Sequence, residues 1–169
     1  MKLRDQLKHI DKLTDGFKFD EAGEMLEKLL ILHPDSNDVK IRLAFIRNSM
    51  RNPSGTLKLL DDILATKPKH KHAIAMYPSV LFEVIEENSD ITVYKSRLEL
   101  LTKLGFRKIG HDLGTVYQYL SEIYEQSKDY KTAISFLEKK IELNKKDDFL
   151  KNYIAESQEK IATLRTLIS

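Results

Sequence analysis

The chain has 169 residues, 41% of them hydrophobic and 32% charged, with 28 Lys and Arg against 26 Asp and Glu. That length suits one domain with a sizeable core, and a formal net charge of +2 gives no global field of the kind that attracts nucleic acid or an anionic membrane. Cysteine is absent, so a disulfide framework, a thiolate zinc site and a cysteine nucleophile are all excluded.

From the N-terminus, Leu3, Leu7, Ile10 and Leu13 recur at three- and four-residue steps, which is one face of a helix. Charged residues fill the other positions, no continuous apolar stretch follows, and no window is long and apolar enough to span a bilayer. An intracellular, soluble, cytoplasmic protein is the expectation. Asp15-Gly16 interrupts the pattern, and Asp20 is placed to cap a second helix carrying Ala22, Met25, Leu26, Leu29 and Leu30. His33-Pro34 stops it, because the residue before proline avoids the helical region. A third helix runs from about Asn37 through Ile41, Leu43, Ala44 and Ile46. Asn52 then caps a fourth, with Pro53 at the first helical position and Leu57, Leu59, Leu60, Ile63 and Leu64 following to Lys67-Pro68.

The two stop prolines, Pro34 and Pro68, lie 34 residues apart, and a fixed period in that range marks a helical solenoid. Aligning on them sets Ala22 against Thr56, Leu26 against Leu60 and Leu29 against Ile63. A small residue, a large apolar residue four later, another apolar residue three later and a closing proline together resemble the tetratricopeptide repeat (TPR) family. The last third resembles it independently. Tyr117 to Tyr124 reads as the family's aromatic first helix, and Asp129-Tyr130 opens a second with Ala133 as the small residue and Leu137 as the large one. Lys140 departs from this pattern at an apolar position, and Lys145 stands in place of the proline.

The middle is irregular. His72 to Glu87 has helical apolarity but contains Pro78, leaving open whether that residue kinks one helix or separates two. Asn88-Ser89-Asp90 reads as a turn and cap, and Ile91 to Leu104 as a helix ending at Gly105, with Gly105 to Leu113 intervening before the last unit. Asp147 to Ile168 reads as a final helix that presents Phe149, Tyr153, Ile154, Ile161, Leu164 and Leu167. The expected fold is therefore all-α: a TPR-like α-α superhelix of about four antiparallel helix pairs in a single domain, residues 1–169. Its units are about 3–36, 37–70, an irregular 71–104 and 114–147, closed by a capping helix at 148–168.

Candidates for chemistry are few. Lys67 to His72 is basic, but no aromatic residues interleave the lysines as base stacking requires, and a solvated turn is the simpler reading. His70 and His72 lack a third metal ligand at suitable spacing. In His111-Asp112, adjacent residues seldom orient each other, so Asp112 reads as a helix cap. Asp61-Asp62 and Glu86-Glu87 are neighbours on one helix and point about 100° apart, unlike an acid–base pair across a cleft. No glycine-rich phosphate loop, nucleophile elbow or zinc-helix motif occurs. No cofactor, metal or catalytic residue is assigned, and enzyme activity is not expected. Among the tyrosines, Tyr117 and Tyr124 read as packing residues and Tyr119 as the surface candidate.

What the resemblance implies is a concave face lined by the first helix of each pair, where a protein or peptide partner binds. The outward stripes fall on Arg4, Leu7, Asp11 and Thr14 in the first unit. In the second they fall on Asp38, Ile41, Arg42, Phe45 and Asn48, and in the last on Gln118, Glu122 and Gln126. Partner contact is assigned to Arg4, Asp11, Arg42, Phe45, Asn48, Gln118 and Glu122. Phe45 stands out as a large apolar residue on a face expected to be polar, between possible donors; the competing reading packs it against the neighbouring helix. The clamp of Lys, Asn and Arg by which one family subtype holds acidic chaperone C-termini does not fit, because the positions hold Leu7, Asp11, Phe45, His72 and Met76. The functional expectation is thus an adaptor or scaffold, monomeric or weakly homodimeric, without nucleic-acid or membrane binding. The alternatives are a dedicated chaperone or immunity-type inhibitor of one protein, a self-assembling structural protein, or an enzyme on a helical scaffold.

Overall fold

The computed structural model describes residues 2–88, 90–103 and 110–168. All regular structure among them is helical. It divides into two compact units, 1–87 and 88–169.

Unit one contains five helices: α1 (Leu3–Asp15), α2 (Phe19–Leu32), α3 (Asn37–Ser49), α4 (Pro53–Thr66) and α5 (Lys71–Glu86). The start points of α1 and α3, and of α2 and α4, are each 34 residues apart, so the period read from the prolines is the structural repeat. The aligned positions are the core. Ala22, Thr56, Leu26, Leu60 and Ile63 are fully buried and Leu29 nearly so. Burying each large aliphatic side chain contributes about 1.5–3 kcal/mol. Thr56 is the polar member of the small position. Its hydroxyl donates to the Asn52 carbonyl at 2.8 Å, within its own helix, so it is accommodated without an unmet donor.

The turns inside the helix pairs also repeat. Phe17, Arg51 and Lys128 have φ of 57°, 56° and 61°, the left-handed conformation that favours glycine. At each, the following amide reaches back to a helical carbonyl: Lys18 to Leu13 at 2.9 Å, Asn52 to Arg47 at 2.9 Å and Asp129 to Tyr124 at 2.8 Å. This is the six-to-one bond of a Schellman cap. The sequence points to Gly16 as the breaker, but Gly16 has φ −85° and Phe17 makes the turn. Asp20 is likewise not a cap, since α2 begins at Phe19 and puts Asp20 in its first turn. Asn52 does cap α4, accepting from the Gly55 amide at 2.9 Å. Ser36 caps α3, and His70 caps α5 through Nδ1, which accepts from the Ala73 amide at 3.2 Å.

Pro78 lies inside α5, which runs unbroken from Lys71 to Glu86. The ring is buried beside Tyr77 and Leu81 in the sequence of the helix's core residues, so packing compensates for the missing amide donor.

Unit two opens with a 3-10 turn, Ile91–Tyr94, capped by Asp90, whose carboxylate accepts from the Thr92 amide at 2.9 Å. The helix α6 follows at Lys95–Lys103. The segment expected as one helix from Ile91 is thus a 3-10 turn and a short α-helix, and the expected turn residue Ser89 and helix end at Leu104 and Gly105 lie outside the described residues. The helix α7 (Gly110–Gln126) starts earlier than the expected last unit, which puts Asp112 inside it and not at its cap; the side chains of His111 and Asp112 lie outside the described residues. The helix α8 (Tyr130–Asn144) is capped by Asp129 on the Thr132 amide at 3.2 Å.

A second 3-10 turn (Asp148–Leu150) leads into α9 (Lys151–Thr166). Ala133, Ile134 and Leu137 of α8 pack with Ile161 and Leu164 of α9, and Tyr124, Tyr130 and Ile141 close the cluster. The expected apolar face of α9 is only partly used: Phe149, Tyr153 and Leu167 are exposed. Lys160 on Glu125 at 2.7 Å and Arg165 on Glu138 at 3.2 Å tie α9 to α7 and α8 at its rim.

Two outcomes follow. Lys128→Gly relieves the left-handed strain at the α7–α8 turn and is expected to raise stability by about 0.5–1 kcal/mol in denaturant unfolding; a loss of stability would contradict that geometry. Ala133→Glu places a carboxylate in the α8–α9 core and is expected to cost more than about 3 kcal/mol, read by the same measurement.

Candidate functional site

In unit one, α3 sorts its residues sharply between two faces. Val39, Leu43, Ala44 and Ile46 are buried against α2 and α4, whereas Asp38, Ile41, Arg42 and Phe45 recur at helical spacing on the opposite side. These four line a groove of about 450 Å³. Asp11 and Thr14 of α1 form one wall; His72 and Met76 of α5, with the capping His70, form the other. Phe45 is 49% exposed. It therefore belongs to the groove floor, and the reading that buries it against a neighbouring helix is overturned.

Arg42 and Asp11 meet as a bidentate pair. Nε donates to Oδ1 at 2.7 Å and Nη2 to Oδ2 at 3.0 Å, while Nη1 donates to the Asp38 carbonyl at 3.0 Å. The hydrogen bond to Asp11 is the main cause that holds the guanidinium proton more firmly than usual, against a smaller opposing effect of burial. The pair joins α1 to α3 and fixes one wall of the groove. Asp11 is accordingly neutralised locally, and the exposed Asp38 carboxylate adds negative charge at the rim.

The remaining expected residues are distributed. Arg4 lies on an adjoining groove of about 640 Å³ with Leu7 and Lys8, which shares Asp11, Asp38 and Arg42 with the first. Leu7 itself is buried, so it belongs to the core and not to the outward stripe. Asn48, three residues beyond Phe45 on α3, does not line the same groove. It lines a separate groove with Arg51 and Glu83, and its Oδ1 is buried without a hydrogen-bond partner. The basic turn is not a free cluster, because His70 is buried and used as a cap. Of the carboxylate pair on α4, Asp61 accepts from the hydroxyl of buried Tyr77 and Asp62 lies 3.9 Å from Lys40.

In unit two, Gln118 and Glu122 bond to each other, Nε2 donating to Oε1 at 2.7 Å, and Lys140 donates to the Gln118 Oε1 at 2.8 Å. Gln118 and Lys140 line a cleft of about 360 Å³ with Gly114, Thr115, Tyr119, Asn144, Leu150 and Tyr153. Of these, sequence reasoning reached only Gln118 and Tyr119 as surface candidates; the signal for the rest was the lysine at an apolar repeat position. Tyr117 and Tyr124 pack on Phe136, with ring centroids 6.0 and 5.6 Å away, and the Tyr124 hydroxyl donates to Glu99 at 2.9 Å.

Among the described residues no group of three or more His, Asp or Glu side chains is placed to hold a metal ion, and no helix is long and apolar enough to cross a membrane.

Because Arg42 and Asp11 are 32% and 47% exposed, Arg42→Ala is expected to cost no more than about 1 kcal/mol. Phe45→Ala is expected to change stability by less than about 0.5 kcal/mol, as for a surface residue. A melting-temperature drop of many degrees in the Phe45 variant would place its ring in the core.

No protein-family model matches the sequence, and no curated protein matches it significantly. Solved structures do. MamA superposes with a TM-score of 0.60 at 16% identity, over 95% of this chain and 85% of that one. MamA from Desulfovibrio magneticus gives 0.54 at 15% identity, over 96% of each chain. A thermophilic TPR protein in Thermus thermophilus gives 0.50 at 15% identity, over 92% of this chain and 98% of that one. At such identities the likeness speaks for the fold alone, and it agrees with the 34-residue period and the buried small positions: this chain has a TPR-like helical-repeat fold.

Proposed function

We propose that this protein is a non-enzymatic binding module, an adaptor or scaffold that takes a peptide or protein segment on the α3 face of unit one. The observation that supports this reading is Phe45. A ring half open to solvent, flanked by Ile41 and Met76 in a groove of about 450 Å³, fits the apolar anchor pocket on which peptide recognition depends. The Asp11–Arg42 pair holds the groove wall in place before a partner arrives, which lowers the ordering cost of binding. The neighbouring Asp38 carboxylate favours a segment with a basic residue beside its apolar anchor.

Proteins of this fold are generally protein-interaction modules, which supports the same class. Residues 1–169 acting as one module, a cytoplasmic location, and a monomer or weak homodimer complete the proposal.

Random peptides displayed on phage and selected on the full chain test it. Enriched peptides are expected to carry an apolar residue next to Lys or Arg, and to bind Phe45→Ala at least tenfold more weakly, about 1.4 kcal/mol or more. Enriched peptides that bind the variant as tightly as the parent would move the site elsewhere, and the absence of any saturable peptide would refute the reading.

A further inference from the structure

The second cleft, on unit two, has a different chemistry. Aligning Ala22, Thr56 and Ala133, and Leu26, Leu60 and Leu137, sets Lys140 against Leu29 and Ile63. Both of those are buried. Where the other repeats place an aliphatic side chain, this one places an ammonium group. A lysine in such a position costs stability unless its charge is met.

Within the protein it is met poorly. Lys140 is half-buried, and its Nζ donates to one neutral acceptor, the Gln118 amide oxygen at 2.8 Å. Among the described residues no carboxylate forms an ion pair with it. Glu122 and Glu156 are close enough to favour its proton, but burial outweighs them and holds its pKa below the ordinary lysine value. Glu122 is occupied instead by the Gln118 Nε2 at 2.7 Å. The glutamine thus stands between carboxylate and ammonium, and leaves Lys140 two donors unused by the described residues.

The surroundings suit a small ligand. The helix α8 ends at Asn144 with no closing proline, one residue beyond the position aligned with Leu32 and Thr66, the last residues of α2 and α4, and Asn144 lines the cleft wall. A Cβ at Gly114 would lie 3.5 Å from the Asn144 Nδ2, so the amide packs against the glycine. Tyr119, Leu150 and Tyr153 supply aromatic and apolar walls. The volume, about 360 Å³, is at the small end of ligand pockets and matches one amino-acid-sized group.

We propose that this cleft binds a carboxylate carried on a small apolar or aromatic group, with the Lys140 ammonium and the Asn144 amide as its donors. It is a separate site from the α3 groove, and it stands or falls independently of the peptide reading. The carboxylate belongs either to a free organic acid or to the last residue of a peptide chain; the recognising chemistry is the same.

Calorimetric titration of the full chain with N-acetyl-phenylalanine, with its C-terminal amide, and with a hexapeptide ending in phenylalanine tests this. The free acid is expected to bind saturably and the amide at least tenfold more weakly. Lys140→Met, which restores the aliphatic character of the repeat, is expected to melt at a higher temperature than the parent and to lose the binding. Phe45→Ala is expected to retain it. A hexapeptide more than tenfold tighter than the free acid identifies a chain terminus as the ligand, and equal affinities identify a small acid. No saturable binding of either carboxylate, or undiminished binding by Lys140→Met, overturns the proposal.

Discussion

Three helix pairs are built around one small, fully buried position each: Ala22 between α1 and α2, Thr56 between α3 and α4, and Ala133 on α8. A small side chain lets two helix backbones approach closely, and the larger residues four positions on, Leu26, Leu60 and Leu137, then fill the space beside that contact. Everything exposed depends on this register. Because α3 must turn Leu43, Ala44 and Ile46 inward, Ile41, Arg42 and Phe45 are left on its other side. The groove is thus a geometric consequence of the core, and no separate element is needed to create it.

The left-handed residues between helices carry the same register. Phe17, Arg51 and Lys128 each accept a conformation that costs a side-chain-bearing residue roughly 1–2 kcal/mol. The return is a fixed exit from one helix and entry into the next, with the back-reaching amide bond satisfying a carbonyl that would otherwise be left over. Turns fixed by such bonds suit a fold that presents side chains from helices in a set register.

Much of this was legible in the sequence because it rests on periodicity. The spacing of Pro34 and Pro68, the small positions and the aromatic stretch at Tyr117 all report packing directly. What was not legible came from local geometry or from partners far apart in the chain. No rule of composition marks Phe17, rather than Gly16, as the left-handed residue. The Asp11–Arg42 pair spans 31 residues and is visible only once α1 and α3 are known to lie side by side; in sequence, the two looked like separate recognition residues. Leu7 was placed outward because a repeat's first helix was assumed to expose that stripe, but it is buried with Ile10 and Leu13 on the core face of α1. Pro78 left two readings open in the sequence, a kink or a break, and only the packed structure decides for one continuous helix.

The central claim is that Phe45 lies on an open face, proposed as the partner-binding one, while its neighbours two positions before and one after lie in the core. The absence of native cysteine makes that measurable without background, by thiol-labelling rates of the single variants Leu43→Cys, Phe45→Cys and Ile46→Cys. The account predicts rapid labelling at position 45, labelling at 43 and 46 only at the rate of unfolding, and protection at 45 when a selected peptide is bound. Comparable rates at all three positions, or fast labelling at 43 or 46 with protection at 45 in the free protein, would contradict it.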